Sequence, residues 1–499
     1  MYINNKILVG KNDKTEIYLL PNMANRHGLI TGASGSGKTI TLKVMAESFS
    51  DCGVPVFLSD IKGDIAGTCL VGEMNENITK RVDKLKLDGF EVKDYPVRFW
   101  DVYGETGHPI RTKISSIGPN ILSIMLGLNE VQEGILNIAF KVAEDENLPL
   151  VDLKDLRSLL AYLGDNRKKY INVYGNITTA SVGGIQRSLM TLENQGAEKF
   201  FGEPSLDIKD FISLNNDGRG IVNILDSRKL FNSPDLYASF MLWLLTELFN
   251  TLPEVGDLDK PKIVFFFDEA HLLFNNMPSY RLKQITQIVK LIRSRGIGLY
   301  FVSQAPTDIP GDIAGQLGNR VQHTLRAYTP ADQKIVKAAS DAFRVNKEFK
   351  TDEAILSLGV GEALVSFQNE KGEPDVVQRV TILPPQSMMG TIDDMTRNKI
   401  INNSILFGKY DDELDNESAY EMITKKNQEQ EEAKQKELDM KEQEKLEKEA
   451  EKEKLRKQKE EEKKAKNDPM KRLEKKVANR AADKLINRGL NRLFKNLFK

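Results

Sequence analysis

Cysteine and histidine are scarce in this 499-residue chain, and the scarcity excludes two kinds of architecture. Two cysteines, Cys52 and Cys69, cannot build a disulfide framework and point to a reducing compartment. The four histidines, His27, His108, His271 and His323, are scattered, and no C-x-x-C or H-x-x-x-H spacing occurs, so a structural zinc site is not expected. Long hydrophobic runs are missing too. The most apolar helical stretch, Leu236 to Phe249, is too short to span a bilayer and contains Glu247. The opening residues, MYINNKILVGKNDK, have no apolar h-region, so a signal peptide is not expected. Net charge is lacking as well: 71 Lys and Arg against 72 Asp and Glu give −1, and the whole-chain charge specifies no polyanionic partner. The expectation is a soluble, cytoplasmic protein with no integral membrane segment.

What is present is enough apolar content, 40%, for a proper core. The length allows two or three domains, or one large domain with an appendage. Short apolar runs alternate with longer helical patterns, which predicts an α/β domain with a mainly parallel sheet. Strands are expected at Lys6–Val9, Glu16–Leu20, Gly28–Thr31, Val54–Ser59, Val97–Trp100, Gly220–Leu225, Ile263–Phe267, Gly298–Ser303 and Gly361–Phe367. Within this pattern, ILSIMLGLNEVQEGILNIAFKVAED has helical spacing and opens a mostly helical insert. The expected organisation is therefore an N-terminal hairpin and first half of the core (1–114), the insert (115–212) and the second half of the core (213–424). A charged single helix or disordered linker (425–466) and a basic amphipathic helix (467–499) follow.

From Lys425 to Lys466 nearly every residue is Lys, Glu or Gln. Leu438, Leu446 and Leu455 lie eight and nine apart, which misses a heptad seam. Glu→Lys pairs four apart (Glu432/Lys436, Glu437/Lys441, Glu444/Lys448, Glu453/Lys457) each support an isolated helix by a few tenths of a kcal/mol. Beyond Asp468-Pro469, Ala478, Ala482, Leu485, Ile486, Leu490, Leu493 and Leu497 form one stripe, and Lys476, Arg480, Lys484, Arg488 and Arg492 another. The tip from Asn467 carries 10 basic and 3 acidic residues. Such a helix can bind a partner protein, dock on its own domain, or bind nucleic acid or an anionic membrane. With the tail subtracted, residues 1–424 carry about −9, so the core offers no broad basic face.

The motifs that carry chemistry begin with LITGASGSGKTITL (Leu29 to Leu42), which fits G-x-x-x-x-G-K-[ST] between a short strand and a helix. Backbone N–H groups of Gly32, Ala33, Ser34, Gly35, Ser36, Gly37, Lys38, Thr39 and Ile40 are expected to cradle phosphates. Lys38 would reach the β- and γ-phosphates, and the Thr39 hydroxyl would bind Mg²⁺. The alternative is a glycine-rich turn without a ligand. The stretch KIVFFFDEAHLLF (Lys262 to Phe274) ends an apolar strand on Asp268 and Glu269. A doubly wound sheet places its ligands there. Asp268 can hold Mg²⁺ and Glu269 can orient or deprotonate an attacking water. A pair that merely caps the next helix is the alternative, and the upstream loop favours catalysis. Gln304, ending GLYFVSQAP, reads as a sensor of the γ-phosphate or as an ordinary loop residue. Asp60, with Lys62 beside it, either supports the Mg²⁺ site or caps its own loop. Arg320 and Arg326 could serve a neighbouring subunit's nucleotide or simply be solvated. Arg293 and Arg295 are weaker candidates.

The order of the phosphate loop, DIKGD, RFWDVYGETGHPIR, GEPSLDI, VFFFDEAHLLF, FVSQAP, QLGNRVQHTLRAYTPADQK and GVGEALVS resembles a bacterial branch of the HerA-like ATPases. These belong with the HerA and FtsK motors and the type IV secretion ATPases. The resemblance covers about residues 1–424. It implies a RecA-like P-loop NTPase core with helical additions, ATP and Mg²⁺ as cofactors, and a homo-oligomeric ring, commonly hexameric. Its better-known members translocate double-stranded DNA. It also implies phosphate contacts from Gly35 to Thr39, hydrolysis by Asp268 and Glu269, a sensor at Gln304 and a trans-acting arginine at Arg320. One departure is that the archaeal HerA motor carries a β-barrel domain ahead of its P-loop, whereas Gly32 here leaves room only for a small β-hairpin. The letters DEAH do not indicate a DEAH-box helicase, because no second RecA-like domain fits before the charged tail. His271 then reads as part of the helix after the active site. The function expected is ATP hydrolysis coupled to DNA translocation or unwinding. The alternative is an interaction switch or protein-transport ATPase with the tail as its partner arm. Glu269 beside Asp268 suits water as acceptor, which disfavours a phosphotransferase.

Overall fold

The apolar runs of the sequence become the centre of one sheet in a computed structural model that describes residues 1–274, 277, 279–467 and 469–495. In chain order the strands are β1 (Tyr2–Ile3), β2 (Lys6–Lys11), β3 (Glu16–Leu19), β4 (Gly28–Thr31), β5 (Val56–Asp60), β6 (Val97–Asp101) and β7 (His108–Pro109). They continue with β8 (Val222–Asp226), β9 (Ile263–Phe267), β10 (Ile297–Ser303), β11 (Asn319–Gln322), β12 (Glu362–Ser366) and β13 (Gln378–Ile382). Among the described residues they form a 13-stranded sheet ordered β1-β2-β13-β12-β11-β4-β10-β9-β5-β8-β6-β7, with β3 paired to β2. From β11 to β7 every pairing is parallel. The flank from β12 to β3 is antiparallel. The architecture is thus α/β with a mainly parallel sheet.

Strands β5, β9 and β10 are buried at every residue, as continuous apolar runs covered on both faces should be. Helix α1 (Lys38–Asp51) packs Phe49 against Phe266 and Tyr300, with ring centroids 6.4 and 6.1 Å apart. Four strands, β1, β7, β11 and β13, were not expected. In β11 the reason is visible. Val321 is its one buried apolar residue, and its other buried positions, Asn319 and Gln322, are polar. Asn319 donates to the carbonyls of Met23 and His27, and Gln322 accepts from Thr31 and donates to His323 O.

Between β7 and β8 lie five α-helices among the described residues: Ile114–Met125, Glu130–Asp145, Leu153–Asp165, Arg167–Tyr174 and Thr179–Asn194. The second and third start on capping boxes, at Asn129 and Asp152. The Pro234–Thr251 helix is buried along most of its length, which explains its lack of a polar face. No helix among the described residues is long and apolar enough to cross a membrane.

The chain divides into two units, Met1–Glu421 and Met422–Lys499. The charged segment is helical as part of Ala419–Asn467, and Pro469–Lys495 forms another helix. Of the four expected Glu→Lys pairs, Glu437–Lys441, Glu444–Lys448 and Glu453–Lys457 lie 2.5, 3.5 and 2.9 Å apart. Leu485, Ile486, Leu490, Leu493 and Leu497 of the expected stripe, with Arg488 and Arg492, fall outside the residues whose side chains are described.

His27, buried just before β4, ties the sheet to its covering layer. Its Nε2 donates to Val289 O (2.9 Å) and its Nδ1 accepts from the Leu299 amide (3.1 Å). Both partners have fixed roles, so the ring must be neutral. Burial pushes its pKa from 6.5 down to about 4. The unfolded chain therefore takes up this proton first. Stability from His27 should be fully present above pH 6.5 and lost as pH falls toward 4, about 3 kcal/mol in all. Denaturant unfolding over this interval should be less pH-dependent in His27→Gln than in the wild type; equal acid limbs would contradict the assignment.

Candidate nucleotide site

Strand register assembles the site. Thr31 of β4 lies opposite Ser303 of β10, and Phe301 of β10 lies opposite Phe267 of β9. The next residues along each strand are Gly32, Gln304 and Asp268-Glu269. All therefore emerge at the carboxyl edge of three adjacent parallel strands. Strands β4 and β9 are two spacings apart, about 10 Å. That gap can hold phosphates and a metal ion between the loop and the carboxylates.

The loop itself is braced from the β11–β12 side. His323 N donates to Thr31 O (2.7 Å), and Ala33 N donates to Thr324 O (2.9 Å). A Cβ at Gly32 would meet the His323 Cβ at 2.5 Å. Gly37, with φ 113°, begins α1 in a conformation that side chains avoid. Lys38 Nζ donates to Gly32 O and Ala33 O, 2.6 and 3.2 Å away. Burial lowers the Lys38 pKa, against the pull of Glu269 and Asp268.

Asp268 is pushed up to about 6, first by burial and then by the Glu269 charge, while Lys38 and Lys62 oppose the rise. Its Oδ1 accepts from the Glu269 amide (2.9 Å), and its carbonyl accepts from the buried Tyr237 hydroxyl (2.8 Å). Glu269 sits in the left-handed region (φ 47°, ψ 44°). This backbone, rare for a residue with a side chain, is the kind of strain found at functional sites. Gln304 is exposed, and its Nε2 lies 3.5 Å from Glu269 Oε2. His271 belongs to a short 3₁₀ turn, Ala270–Leu273, with Nδ1 3.3 Å from the same Glu269 oxygen.

The remaining sequence candidates divide: Asp60, Lys62 and Arg326 lie at or beyond the ends of strands that finish at this edge, whereas Arg320, Arg293 and Arg295 do not reach it. Asp60 spends both oxygens on the amides of Gly63, Ile65 and Ala66, so it caps its own loop. Lys62 is exposed, and its charge reaches both Lys38 and Asp268. Arg320 pairs with Leu29, three residues back from the level of Gly32, and donates to Ala314 O and Leu317 O (2.9 and 3.2 Å). Arg326 is exposed beyond the end of β11. Arg293 pairs with Asp257 at 2.8 Å, and Arg295 lies over the Phe249 ring at 4.4 Å. Both precede β10 and so lie at the opposite edge of the sheet from the phosphate loop.

The residues present fit a triphosphate. A Cβ at Gly35 would meet nothing within 4 Å, so the loop opens to space there. Ser36 Oγ is buried without a partner. Helix α1 has no side-chain cap and no acid in its first turn, so its leading N–H groups favour an anion. Among the described residues no group of three His, Cys, Asp or Glu could cage a metal. Thr39 and Asp268 would thus share a Mg²⁺ with phosphate oxygens and water, the usual manner of holding this ion.

Sequence reasoning gave His323 no role, yet it joins the two walls of the site. Its Nδ1 donates to Glu362 O (2.9 Å), which leaves Nε2 to accept from the Thr41 hydroxyl of α1 (2.8 Å). Its position inside QHT, between Arg320 and Arg326, gave no periodic signal. Removing the ring strands two buried polar groups at about 1–3 kcal/mol each. His323→Ala should lower the unfolding free energy by that order and weaken nucleotide binding, measured by calorimetric titration; unchanged affinity in a folded variant would contradict the bracing role.

A family model described as "Helicase HerA-like C-terminal" matches residues 5–497. The chain is 24% identical over 366 residues to the "DNA double-strand break repair helicase HerA" of Saccharolobus solfataricus, covering 72% of this chain and 64% of that protein. It is 22% identical over 369 residues to the protein of the same name from Sulfolobus acidocaldarius, covering 72% and 65%. The matched region is thus less than two-thirds of either relative's length. Among solved structures, the bacterial conjugative coupling protein TrwB is similar at TM-score 0.49 and 13% identity, covering 76% of this chain and 89% of that one. VirB4 of Thermoanaerobacter pseudethanolicus is similar at TM-score 0.49 and 13% identity, covering 79% and 99%. With its phosphate loop on the β4–α1 turn and its acid pair after β9, the chain belongs to the HerA-like helicase C-terminal family and is a P-loop ATPase.

Proposed function

We propose that this ATPase is a motor of the HerA/FtsK type that hydrolyses Mg²⁺-ATP in a ring of identical subunits and moves double-stranded DNA. One observation carries the catalytic part: Lys38, Gln304 and the Asp268–Glu269 pair leave three neighbouring parallel strands at one edge. The DNA part rests on the relatives named as DNA double-strand break repair helicases.

Lys38 exchanges its two loop carbonyls for β- and γ-phosphate oxygens. Thr39 and Asp268 would hold the metal, and a cation there would favour the carboxylate form of Asp268 that burial disfavours. Bound Mg²⁺ neutralises charge that develops on the phosphate oxygens. Glu269 orients the attacking water and accepts its proton, and the left-handed turn aims its carboxylate back over the sheet edge. Gln304, in reach of the Glu269 carboxylate, reports whether a γ-phosphate is present. Arg320 is bonded within its own chain, so Arg326, exposed at the same edge, is the freer arginine to serve a neighbouring subunit.

The acidic core, about −9 over residues 1–424, confines DNA contact to a local basic lining. The long charged helix, 49 residues from Ala419 to Asn467, favours a second reading in which it is a partner-binding arm of an ATP-driven switch or protein-transport ATPase.

Steady-state ATPase rates separate the two. A DNA motor should be stimulated by double-stranded DNA, with the stimulation falling steeply as salt rises because phosphate contacts release counterions. Rates indifferent to DNA at low salt would favour the switch. Glu269→Gln should retain ATP binding and lose roughly 10²–10⁴-fold in turnover; normal turnover would remove Glu269 from its role.

A further inference from the structure

The mouth of the phosphate loop carries a cation that the catalytic reading does not use. Arg81 lies on the Glu76–Leu85 helix, whose Asn75 cap and Val82 and Leu85 contacts fix it beside α1. Its guanidinium reaches over Gly361. A Cβ at Gly361, which has φ 77°, would come within 2.5 Å of Arg81 Nη1 and 2.7 Å of Nη2. A side chain there would push the guanidinium from this position. Gly361 is itself part of the loop's wall: its amide donates to Ser36 O (3.1 Å), and its Cα lies 3.2 Å from a Cβ placed on Gly37. The guanidinium therefore stands one residue away from the start of α1.

Arg81 is poorly satisfied in this position. Its two hydrogen bonds, to Ile382 O and Val360 O, are both 3.4 Å, at the outer limit for an N–H donor. Arginines buried more deeply do better: Arg98 reaches Asp210 O at 2.6 Å and Arg111 reaches Tyr410 O at 2.6 Å. Glu362, whose charge acts on Arg81, has its Oε2 taken by Arg379 at 2.7 Å and by the Gly359 amide. Among the described residues no carboxylate pairs with Arg81. Burial accordingly lowers its pKa. A partly desolvated guanidinium without a paired carboxylate, beside an anion-binding loop, calls for an anion.

Sheet order tells which part of the ligand it meets. Glu269 and Gln304 come from the β9–β10 side of β4, whereas Gly361 and Arg81 stand on the β11–β12 side. A triphosphate with its terminal group at Glu269 must direct its nucleoside end toward Arg81. Resting on the nucleotide reading of the site, we propose that Arg81, seated on Gly361, binds the α-phosphate of the nucleotide and so anchors its nucleoside end. It is a binding residue for ATP and ADP alike, distinct from any arginine that senses the γ-phosphate.

The test is nucleotide affinity by fluorescence titration with ATP and ADP, for the intact chain and for Arg81→Gln and Arg81→Lys. Arg81→Gln should weaken both nucleotides by a similar factor, roughly 10- to 100-fold, with Arg81→Lys in between and the unfolding midpoint kept. Unchanged affinities overturn the proposal. So does a loss confined to ATP, which would move Arg81 to the terminal phosphate. In the wild-type chain, saturating ADP should also protect Arg81 from modification by phenylglyoxal, read by mass spectrometry; equal modification with and without ADP overturns the proposal even if the variants fail to fold. A wild-type chain that binds neither nucleotide would instead defeat the proposed function itself.

Discussion

Everything at the site depends on three parallel strands that finish at one edge, β4 and β10 level with each other and β9 two residues short of them. Because β4, β10 and β9 are in register, the chain delivers a phosphate loop, a polar residue and a carboxylate pair to one edge within about two strand spacings. Hydrophobic burial fixes that register. Phe266, Tyr300 and Phe49 interlock on one face, and Phe267 stacks on Phe301 at 5.5 Å on the other. A one-residue slip would turn these rings to the wrong faces. Packing far from any ligand therefore sets the geometry on which the chemistry draws.

The electrostatics of the site follow from the same crowding. Burial works against the charged forms of both Lys38 and Asp268, and each partly rescues the other. Such a site holds charge that is incompletely compensated until phosphate and a divalent ion arrive. The same condition holds at Ser36 of the loop and at Arg81 beside it, one a buried hydroxyl without a partner and the other a cation without a paired carboxylate. Ligand binding, in this account, completes polar interactions that the folded chain leaves open.

Legibility of the sequence varied with the kind of residue that carried the structure. Gly28–Thr31 and Ile263–Phe267 were readable to the residue, because strands covered on both faces are continuous apolar runs bounded by turn signals. The phosphate loop and the acid pair were readable because their residue types and spacing are chemically constrained. Strand β11 was not, since two of its three buried positions are the polar Asn319 and Gln322, and the Gln322 amide oxygen is satisfied by Thr31, 291 residues distant in sequence. His323 and Arg81 were invisible for a related reason: their meaning lies in Thr41, Glu362 and Gly361, which only the fold brings near. Asp60 and Arg320 had two readings each in sequence, and their hydrogen bonds within the chain account for both side chains locally. The tail was legible in composition and in its i, i+4 pairs, which local physics decides.

The central claim is that the loop at Lys38 and the acids after β9 grip one metal-bound nucleotide. A double-mutant cycle on Mn²⁺ affinity in the presence of ADP, read by electron paramagnetic resonance, tests it most directly, with Thr39→Ala and Asp268→Asn as the two changes. If both residues serve one ion, each single change should weaken Mn²⁺ binding and the pair should lose clearly less than the sum of the two. Strictly additive losses, or no loss from Asp268→Asn, would mean that the two segments do not share an ion and would contradict the account.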